Sequence, residues 1–419
     1  TRDRHPVLFG QAVESKVKPD IDDEKVAVKP SLDSSSACCR NVTDMITEDL
    51  FDAAKVAAVE QNWTNKLTIE EFLQRAGLLG GKQKSTTTHI IDVRAPGEFA
   101  QGHIPGAISV PLFDDDERAR VGTTYHKEGR DVAVARGLNI VTAKGFKNLL
   151  SSVPQVREGD ELLVYCWRGG MRSGGMAQLL ARTPLPVSTL AGGYKSYRNW
   201  ALRQWEQDRD LVVVAGPTGS GKTDILEVLR DSLHQQVIDL EGDANHRGSA
   251  FGALGREAQP SNEHYENILA LQWANFNASA PVFIEDEGVS VGRAGVPPGL
   301  WKRMRNDTNH VLKLEVPRDA RVAKLVSEYG KYPPEDLAMC CKALTKRLGG
   351  EKVKQAVAWL EERPPRLAEV AELLLEHYYD GMYNYNLKKR EGIRIEVPCS
   401  GGDALENAQR LLATFSEQK

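Results

Sequence analysis

The sequence predicts an α/β protein of two parallel β-sheet domains, the second with a helical C-terminal portion. Residues 162–173 (LLVYCWRGGMRS) indicate a short apolar strand, a loop of small and basic residues, and the start of a helix. Residues 211–223 repeat this order, because the apolar run LVVVA leads into a glycine-rich loop. A continuous apolar strand is typical of a parallel sheet that helices cover on both faces. Beyond residue 317 the apolar spacing becomes helical.

Length and composition limit the possible functions. A chain of 419 residues is long enough for two or three domains. The net charge of −4 gives no global sign of nucleic-acid binding, so any RNA contact must be a local patch. Six cysteines, four of them in two adjacent pairs, provide neither a disulfide framework nor a CxxC metal site, which favours a reducing compartment. No apolar run approaches the ~18 residues of a membrane span.

Shifts in composition predict four segments. Residues 1–42 are polar and are expected to be disordered. Residues 43–85 have helical apolar spacing and are expected to form a helical extension. Residues 86–208 are assigned to the first sheet domain and residues 209–419 to the second, which includes a helical region over 317–390 and a final strand and helix. The short connection between the two sheet domains predicts that they pack together.

Cys166 is the candidate catalytic residue of the first sheet domain. It follows a strand and precedes a helix, so backbone N–H groups and the positive end of the helix are expected around its sulfur. Arg168 and Arg172 add positive charge, and these groups together favour a thiolate over a thiol. Such a thiolate can accept, hold and pass on a sulfur or selenium atom. The alternative, a buried core cysteine, fits poorly with the arginines and glycines beside it.

Residues 216–223 (GPTGSGKT) match the phosphate-binding pattern GxxxxGK[ST] between a strand and a helix. The glycines let backbone N–H groups surround a phosphate, Lys222 supplies a positive charge, and the Thr223 hydroxyl is a ligand for Mg²⁺. The residues predicted to bind phosphate are Gly216, Gly219, Ser220, Gly221, Lys222 and Thr223.

Two further segments are candidates for the same site. The segment PVFIEDE predicts a strand that ends in acids, and Glu285 or Asp286 is expected to hold Mg²⁺ directly or through water. The segment DLEGDANHRGSAFG lacks apolar periodicity, so we expect a loop that carries His246 and Arg247 beside the bound phosphates. The alternatives are a strand end that faces solvent and a plain surface loop.

Basic residues near tyrosines in the second domain fit a surface for RNA backbone and base stacking. Four tyrosines lie within residues 378–385, just before the last basic cluster. Solvated helix faces are the alternative interpretation. The predicted RNA contacts are Lys302, Arg303, Arg305, Lys346, Arg347, Lys388, Lys389 and Arg390.

Several segments of the first domain resemble a rhodanese (sulfurtransferase) domain. They are DVR at 92–94, GHIPGA at 102–107, the Cys166 loop and GGY at 192–194. A rhodanese domain directly ahead of a P-loop domain resembles the tRNA 2-selenouridine synthase family. Further marks of that family are DDDERARVG at 114–122, EDE at 285–287 and YYDGMYNY at 378–385. The combination in this order is far more specific than either motif alone.

The resemblance implies a two-step change at C2 of the wobble uridine of tRNAs for Lys, Glu and Gln. Geranyl diphosphate first alkylates the 2-thio sulfur, and selenium from selenophosphate then replaces the geranylthio group. Lys222, Thr223 and an acid-held Mg²⁺ would serve departure of the diphosphate. Cys166 would act as nucleophile or selenium carrier, with Arg168 and Arg172 holding selenophosphate. No tightly bound cofactor is expected.

The resemblance also implies a tRNA partner, no membrane partner and a cytoplasmic location. Because about 85 residues precede the rhodanese-like part, an organelle such as a plastid or mitochondrion is the alternative location. Two other functions stay open from the residues alone. One is a general sulfurtransferase with an ATP-hydrolysing domain that acts on small molecules, which a tRNA gel shift would distinguish. The other is a non-enzymatic RNA-binding or nucleotide-sensing adaptor, which the thiol reactivity of Cys166 would distinguish.

Overall fold

The computed structural model describes residues 41–42, 65–80, 87–153, 155–390 and 392–418. Within these ranges the chain forms two five-stranded sheets, each with parallel neighbouring strands. The predicted α/β fold with two parallel sheets is therefore confirmed. Nearly all of the predicted disordered segment over 1–42, and residues 43–64 and 81–85 of the predicted helical extension, lie outside the described residues.

The first sheet domain has its strands in the order β1-β5-β4-β2-β3. The strands are β1 (Asn65–Leu67), β2 (Thr88–Asp92), β3 (Ile108–Ser109), β4 (Glu161–Tyr165) and β5 (Val187–Leu190). The helices are α1 (Ile69–Arg75), α2 (Pro96–Gln101), α3 (Asp115–Glu128), α4 (Arg130–Lys144), α5 (Phe146–Leu150), α6 (Met171–Leu180) and α7 (Gly193–Gln204). β4 lies in the middle of the sheet, so the loop that follows it opens at the carboxyl edge, where ligands of parallel sheets usually bind.

Two expectations for the N-terminal part are wrong where the structure describes it. Asn65–Leu67 is not helical, because it pairs in parallel with β5 and forms an edge strand of the first sheet. Phe72 and Leu73 of α1 are fully buried beneath it, so this segment belongs to the domain core. Val42, at the end of the predicted disordered segment, is buried in the core on the other side of the sheet.

The second sheet domain has the strand order β12-β11-β6-β8-β7, with a separate antiparallel pair of β9 and β10. The strands are β6 (Leu211–Ala215), β7 (Gln236–Ile238), β8 (Val282–Glu285), β9 (Ser290–Val291), β10 (Ala294–Gly295), β11 (His310–Glu315) and β12 (Ile393–Pro398). The helices are α8 (Lys222–Asp231), α9 (Leu240–Asp243), α10 (Asn262–Asn275), α11 (Pro298–Met304), α12 (Arg318–Tyr329), α13 (Pro334–Ala343), α14 (Thr345–Leu348), α15 (Gly350–Glu361), α16 (Leu367–Leu374), α17 (Asp380–Lys388) and α18 (Ala404–Ser416). One π-helical turn, Leu375–Tyr379, joins α16 to α17.

A single buried apolar cluster continues from the first domain into the second. It contains Tyr197 and Trp200 of α7, Trp205 just after α7, and Trp273 of α10. Large aromatic side chains bury the most apolar surface per residue, so this cluster joins the two domains firmly. Of the helices that the structure describes, none combines the length and apolarity that crossing a bilayer requires.

Candidate functional site

The Cys166 loop connects β4 to α6. Cys166 is buried, and its Sγ atom lies 3.2 Å from Oγ of Ser173 in the first turn of α6. The helix begins after Gly170, which has no side chain to cap it, so the first N–H groups of α6 can face an anion. The structure thus places Cys166 where the strand–loop–helix pattern predicts, while its catalytic role stays a prediction.

A second glycine turn, at Gly192 and Gly193, packs directly on the Cys166 loop. The backbone N–H of Tyr194 donates a hydrogen bond to the Cys166 carbonyl at 2.8 Å. Gly193 has φ of 61°, and a Cβ atom there would lie 2.3 Å from the same carbonyl oxygen. Glycine is therefore required for this close approach of two backbone turns.

The two predicted arginines of the loop have different surroundings. Arg168 is exposed, whereas Arg172 donates to Oε2 of Glu98 at 2.8 Å. Burial opposes ionisation of Glu98, yet the hydrogen bond and charge of Arg172 lower its pKa below the ordinary value. Arg118 of α3 lies 3.7 Å from the same carboxylate. Sequence reasoning missed Glu98 and Arg118, because their proximity to the loop depends on packing of α2 and α3 against α6.

The phosphate loop connects β6 to α8. Lys222 folds back over the loop and donates from Nζ to the Gly216 carbonyl at 2.9 Å. The Thr223 hydroxyl donates to Oε2 of Glu241 at 3.3 Å. The Ser220 hydroxyl is buried and has no hydrogen-bond partner among the described residues. These groups surround a position where phosphate oxygens could accept their hydrogen bonds.

Helix α12 of the helical region holds the phosphate loop from outside. Gly219 and Gly221 have φ of 80° and 77°, and a Cβ atom at Gly219 would lie 3.0 Å from the Arg321 carbonyl oxygen. Buried Arg321 donates to the Thr218 carbonyl at 3.1 Å and forms a bidentate pair with Asp380. The position of the loop is therefore coupled to α12 and α17.

Three glutamates meet beside the phosphate loop, with ligand oxygens of Glu241, Glu285 and Glu287 all within 4.8 Å of one another. Glu285 accepts from the Glu241 backbone N–H at 2.7 Å, and its buried Oε2 has no hydrogen-bond partner in the described part of the chain. Burial and the neighbouring carboxylates raise the pKa of Glu285 well above its ordinary value and that of Glu287 to about 8. With the Thr223 hydroxyl these oxygens form a hard donor set, which fits Mg²⁺.

Of the two acids predicted to hold Mg²⁺, Glu285 lies in this cluster and Asp286 does not. Its carboxylate pairs with Arg390 and lies 3.3 Å from Arg305. Side chains alternate in direction along an extended chain, so Glu285 and Glu287 share one side and Asp286 takes the other. The sequence pattern EDE located the acids but not the direction of each side chain.

Arg390 is also wrongly predicted, as an RNA contact. It is 4% exposed, pairs with Asp286 and donates to the Met304 carbonyl at 2.9 Å. Its burial lowers its pKa, although the guanidinium stays charged beside Asp286. Arg390 is therefore a structural residue of the second domain.

The remaining predicted RNA contacts fall into two groups. Arg303 donates to the Trp205 carbonyl at 3.0 Å and pairs with Asp208, so it joins the two domains, and Arg305 is engaged by Asp286. The other side chains are exposed and stay predictions; they are Lys302, Lys346, Arg347, Lys388 and Lys389.

The loop that carries His246 and Arg247 borders the acid cluster through other residues. Arg247 lies 3.8 Å from Glu328 and is engaged within the protein, while His246 is half-buried with an Nδ1 atom that has no partner among the described residues. Gly248 approaches the cluster most closely, since a Cβ atom there would lie 2.6 Å from Oε1 of Glu241. Glu241 is the residue of this loop that sequence reasoning missed.

Helix α10 lies between the two loops and contacts the surroundings of both. Tyr194, whose backbone holds the Cys166 loop, donates its hydroxyl to Glu263 at 2.8 Å and accepts from Asn267 at 2.7 Å. One turn away, the Tyr265 hydroxyl donates to the Leu240 carbonyl at 2.9 Å, next to Glu241. A continuous set of packed contacts therefore runs from the thiol loop to the acid cluster.

An apolar cavity adjoins the phosphate loop. Thr218 of that loop and Ser249 of the His246 loop are among the residues that line it. Helices of the helical region supply most of the other walls, through Leu325, Val326, Tyr329, Leu360, Leu367, Val370, Ala371, Leu374, Leu375 and Tyr379. A site for an apolar group thus lies beside a site for phosphate.

Comparisons with known proteins agree with this arrangement. Residues 76–199 match the model of the rhodanese-like domain, and residues 209–406 match that of the tRNA 2-selenouridine synthase AAA domain. Proteins named tRNA 2-selenouridine synthase from Nitrosomonas europaea, Shewanella piezotolerans and a Sulfurovum species are 31%, 33% and 35% identical to this chain. The alignments cover 75%, 72% and 72% of this chain and 92%, 89% and 89% of those proteins. A crystal structure of the N-terminal domain of a protein described as ATP/GTP-binding, from Clostridium difficile 630, is 33% identical to this chain. The match covers 33% of this chain and 99% of that domain, at a TM-score of 0.26.

Proposed function

Because the chain belongs to the tRNA 2-selenouridine synthase family, we propose that it is a transferase that converts 2-thiouridine at the tRNA wobble position into 2-selenouridine through a geranylated intermediate. The co-substrates are geranyl diphosphate and selenophosphate, and the substrates are the tRNAs for Lys, Glu and Gln. The observation that carries the proposal is the apolar cavity directly beside the phosphate loop.

The cavity and the loop together match both halves of geranyl diphosphate. Nucleotide pockets need polar groups for a base and a ribose, whereas the walls here, apart from Thr218 and Ser249, are aliphatic side chains, aromatic rings and a glycine. With the diphosphate on the loop, the ten-carbon chain can extend past Thr218 into the cavity, where contact with the apolar walls replaces contact with water.

In the first step the 2-thio sulfur of the uridine attacks C1 of the geranyl group. The C1–O bond breaks, and its electron pair leaves with the diphosphate. Lys222 and the loop N–H groups stabilise the charge that develops on the diphosphate oxygens. Glu241, Glu285, Glu287 and Thr223 would hold Mg²⁺, which when bound supplies further positive charge at the leaving group.

In the second step Cys166 acts as the nucleophile toward selenophosphate. Its thiolate attacks phosphorus, and the Se–P bond breaks with its electron pair on selenium. The selenide attacks C2 of the uridine and expels the geranylthiolate, which takes up a proton. Water then hydrolyses the phosphocysteine to phosphate and free thiol. Arg168, Arg172 and the N–H groups of α6 would stabilise the phosphoryl oxygens.

The test is a change in prenyl selectivity on filling the cavity. Ala371→Phe places a ring in the cavity, so transfer from geranyl diphosphate to 2-thiouridine tRNA is expected to fall roughly tenfold or more relative to transfer from five-carbon dimethylallyl diphosphate. Nucleoside mass spectrometry after incubation without selenophosphate measures both products. Ala323→Phe, at an exposed position of α12, is the matched control and is expected to keep the wild-type ratio.

Two results would contradict the proposal. One is a wild-type chain that leaves 2-thiouridine tRNA unalkylated by geranyl diphosphate. The other is the same ratio of geranyl to dimethylallyl transfer in the Ala371→Phe and Ala323→Phe chains, when both chains fold and bind tRNA.

A further inference from the structure

The segment DDDERARVG in the first domain has no role in the function described so far. Asp114 caps α3 by accepting from the Glu117 backbone N–H at 2.7 Å. Asp115 accepts from the Gly97 backbone N–H at 2.9 Å, and Glu117 pairs with Lys144. These acids therefore fasten the hairpin of α3 and α4 to α2 and to itself, so that its position is fixed.

The first arginine of the segment, Arg118, approaches the thiol loop through one carboxylate. Arg118 lies 3.7 Å from Oε1 of Glu98, and Arg172 donates to Oε2 of Glu98 at 2.8 Å. Arg172 directly precedes Ser173, whose hydroxyl lies 3.2 Å from the Cys166 sulfur. Two guanidinium groups thus share one carboxylate, and one of them belongs to the chain neighbour of the serine that contacts the thiol.

The turn of the same hairpin contacts the first residue of α6. Arg130, the first residue of α4, brings Nη2 to 3.9 Å from Sδ of Met171, the first residue of α6. The hairpin therefore reaches the first turn of α6 directly through Arg130 and indirectly through Glu98, which binds Arg172, and the N–H groups of that turn favour an anion. With Arg168 exposed on the loop, positive charge exceeds negative charge around this end of the helix.

We infer that Arg118 is a phosphate-binding residue of the Cys166 site and that it contacts the phosphoryl oxyanion of the selenium donor. The identity of that donor rests on the proposed function. The Arg118 side chain is 52% exposed against 23% for Arg172, and its 3.7 Å separation from Glu98 exceeds a hydrogen bond. Its donors are thus not committed to Glu98, and a guanidinium binds phosphoryl oxygens in a bidentate way.

Orthophosphate, the product of phosphocysteine hydrolysis, is the probe that tests this contact. We use the full chain carrying Lys222→Ala, which weakens phosphate binding at the second loop, and titrate it by calorimetry. Arg118→Gln is expected to weaken orthophosphate binding roughly tenfold, because one charge-assisted contact is lost. Arg120→Gln, at an exposed position on the same helix, is the matched control and is expected to change the affinity less than twofold. Arg118→Lys, which keeps the charge, is expected to recover part of the affinity.

The phosphodiesters of tRNA offer similar oxygens, so tRNA binding is measured on the same variants. Loss of tRNA affinity with unchanged orthophosphate affinity would overturn the inference and assign Arg118 to the RNA backbone. Equal effects of Arg118→Gln and Arg120→Gln, or no orthophosphate binding by the Lys222→Ala chain, would overturn it as well. Failure of the proposed function appears separately, as unmodified tRNA from the wild-type chain whatever its orthophosphate affinity.

Discussion

The hydroxyl of Tyr194 donates to Oε1 of Glu263 at 2.8 Å, which joins the glycine turn of the first domain to helix α10 of the second. Asn267 of α10 donates to the same hydroxyl at 2.7 Å and to the His103 carbonyl at 2.9 Å. Tyr194 and Asn267 are fully buried, so the hydrogen bond between them forms away from water. The thiol loop and the P-loop domain are thus held in one relative position by a small set of polar groups.

Tyr194→Phe removes both hydrogen bonds and leaves Glu263 and Asn267 without this partner. The free energy of unfolding is expected to fall by about 1–3 kcal/mol, since buried polar groups lose a hydrogen-bond partner. Urea denaturation followed by circular dichroism measures the change. Tyr125→Phe, at a position 53% exposed, is the control and should leave stability within about 0.5 kcal/mol of wild type. Equal stability of Tyr194→Phe and wild type would contradict a stabilising role for this contact.

The stability of the domain interface is expected to depend on pH through His264. Burial, with a contribution from His103 stacked 3.7 Å away, lowers the pKa of His264 from 6.5 to about 4. The unfolded chain therefore binds a proton between these values that the folded chain excludes, so stability falls as pH drops through this window. His264→Phe is expected to reduce the slope of stability against pH between pH 6.5 and 4. The same change at exposed His126 should leave that slope unchanged, and equal slopes for His264→Phe and wild type would contradict the prediction.

The acid cluster is expected to destabilise the metal-free protein at alkaline pH. Burial and the nearby Glu241 raise the pKa of Glu287 from 4.5 to about 8, so folding takes up a proton in this range and stability falls as pH rises through it. Glu287→Gln should therefore raise the melting temperature at pH 8 without metal by a few degrees. It should also remove the stabilisation that millimolar MgCl₂ gives the wild-type chain.

Glu257→Gln, which removes an exposed carboxylate, is the control for the acid cluster and is expected to melt as wild type does in both conditions. Scanning fluorimetry with MgCl₂ or with EDTA makes the comparison. An equal rise in melting temperature on adding MgCl₂ to the wild-type and Glu287→Gln chains would contradict a metal site at Glu287.

We expect Arg390 to support the stability of the fold and Lys389 to support tRNA binding. Arg390→Gln leaves Asp286 without its buried partner, so the free energy of unfolding should fall by about 3–5 kcal/mol.

Lys389→Gln removes an exposed ammonium that lies 4.2 Å from the Tyr385 ring. It should lower tRNA affinity without loss of stability, and the salt dependence of tRNA binding should fall by the equivalent of about one phosphate contact. Anisotropy titration with tRNA at several salt concentrations measures the second effect. Unchanged tRNA affinity of Lys389→Gln would contradict an RNA surface at α17.

Local patterns in the sequence predicted the elements that carry the two loops. The predicted strand Leu211–Ala215 has the bounds that the structure gives, because its apolar run ends at a clear glycine-rich turn signal. Helix Asn262–Asn275 was missed, since it packs between two domains and buries Asn267 along with apolar residues. The hairpin of α3 and α4 was missed because few of its residues are buried, so no apolar stripe marks it.

Sequence patterns predicted only those residues of the candidate site that adjoin one another in a single stretch of sequence. Cys166 and the phosphate loop each depend on a strand, a loop and a helix that adjoin in sequence. Glu98, Arg118 and Glu241 reach these loops from other elements, and nothing in their own neighbourhoods indicates that contact. The prediction named Glu285 or Asp286 and left out Glu287, because the pattern EDE does not tell which acids share a side of the chain.

The most direct test of the account is nucleoside mass spectrometry on 2-thiouridine tRNA incubated with geranyl diphosphate, selenophosphate and the Cys166→Ser chain. The account predicts that the geranylated nucleoside accumulates and that 2-selenouridine is absent, whereas Lys222→Ala forms neither product. Two results with the Cys166→Ser chain would contradict the division of the two steps between the two loops. One is the loss of both geranylation and selenation, and the other is formation of 2-selenouridine at the wild-type rate.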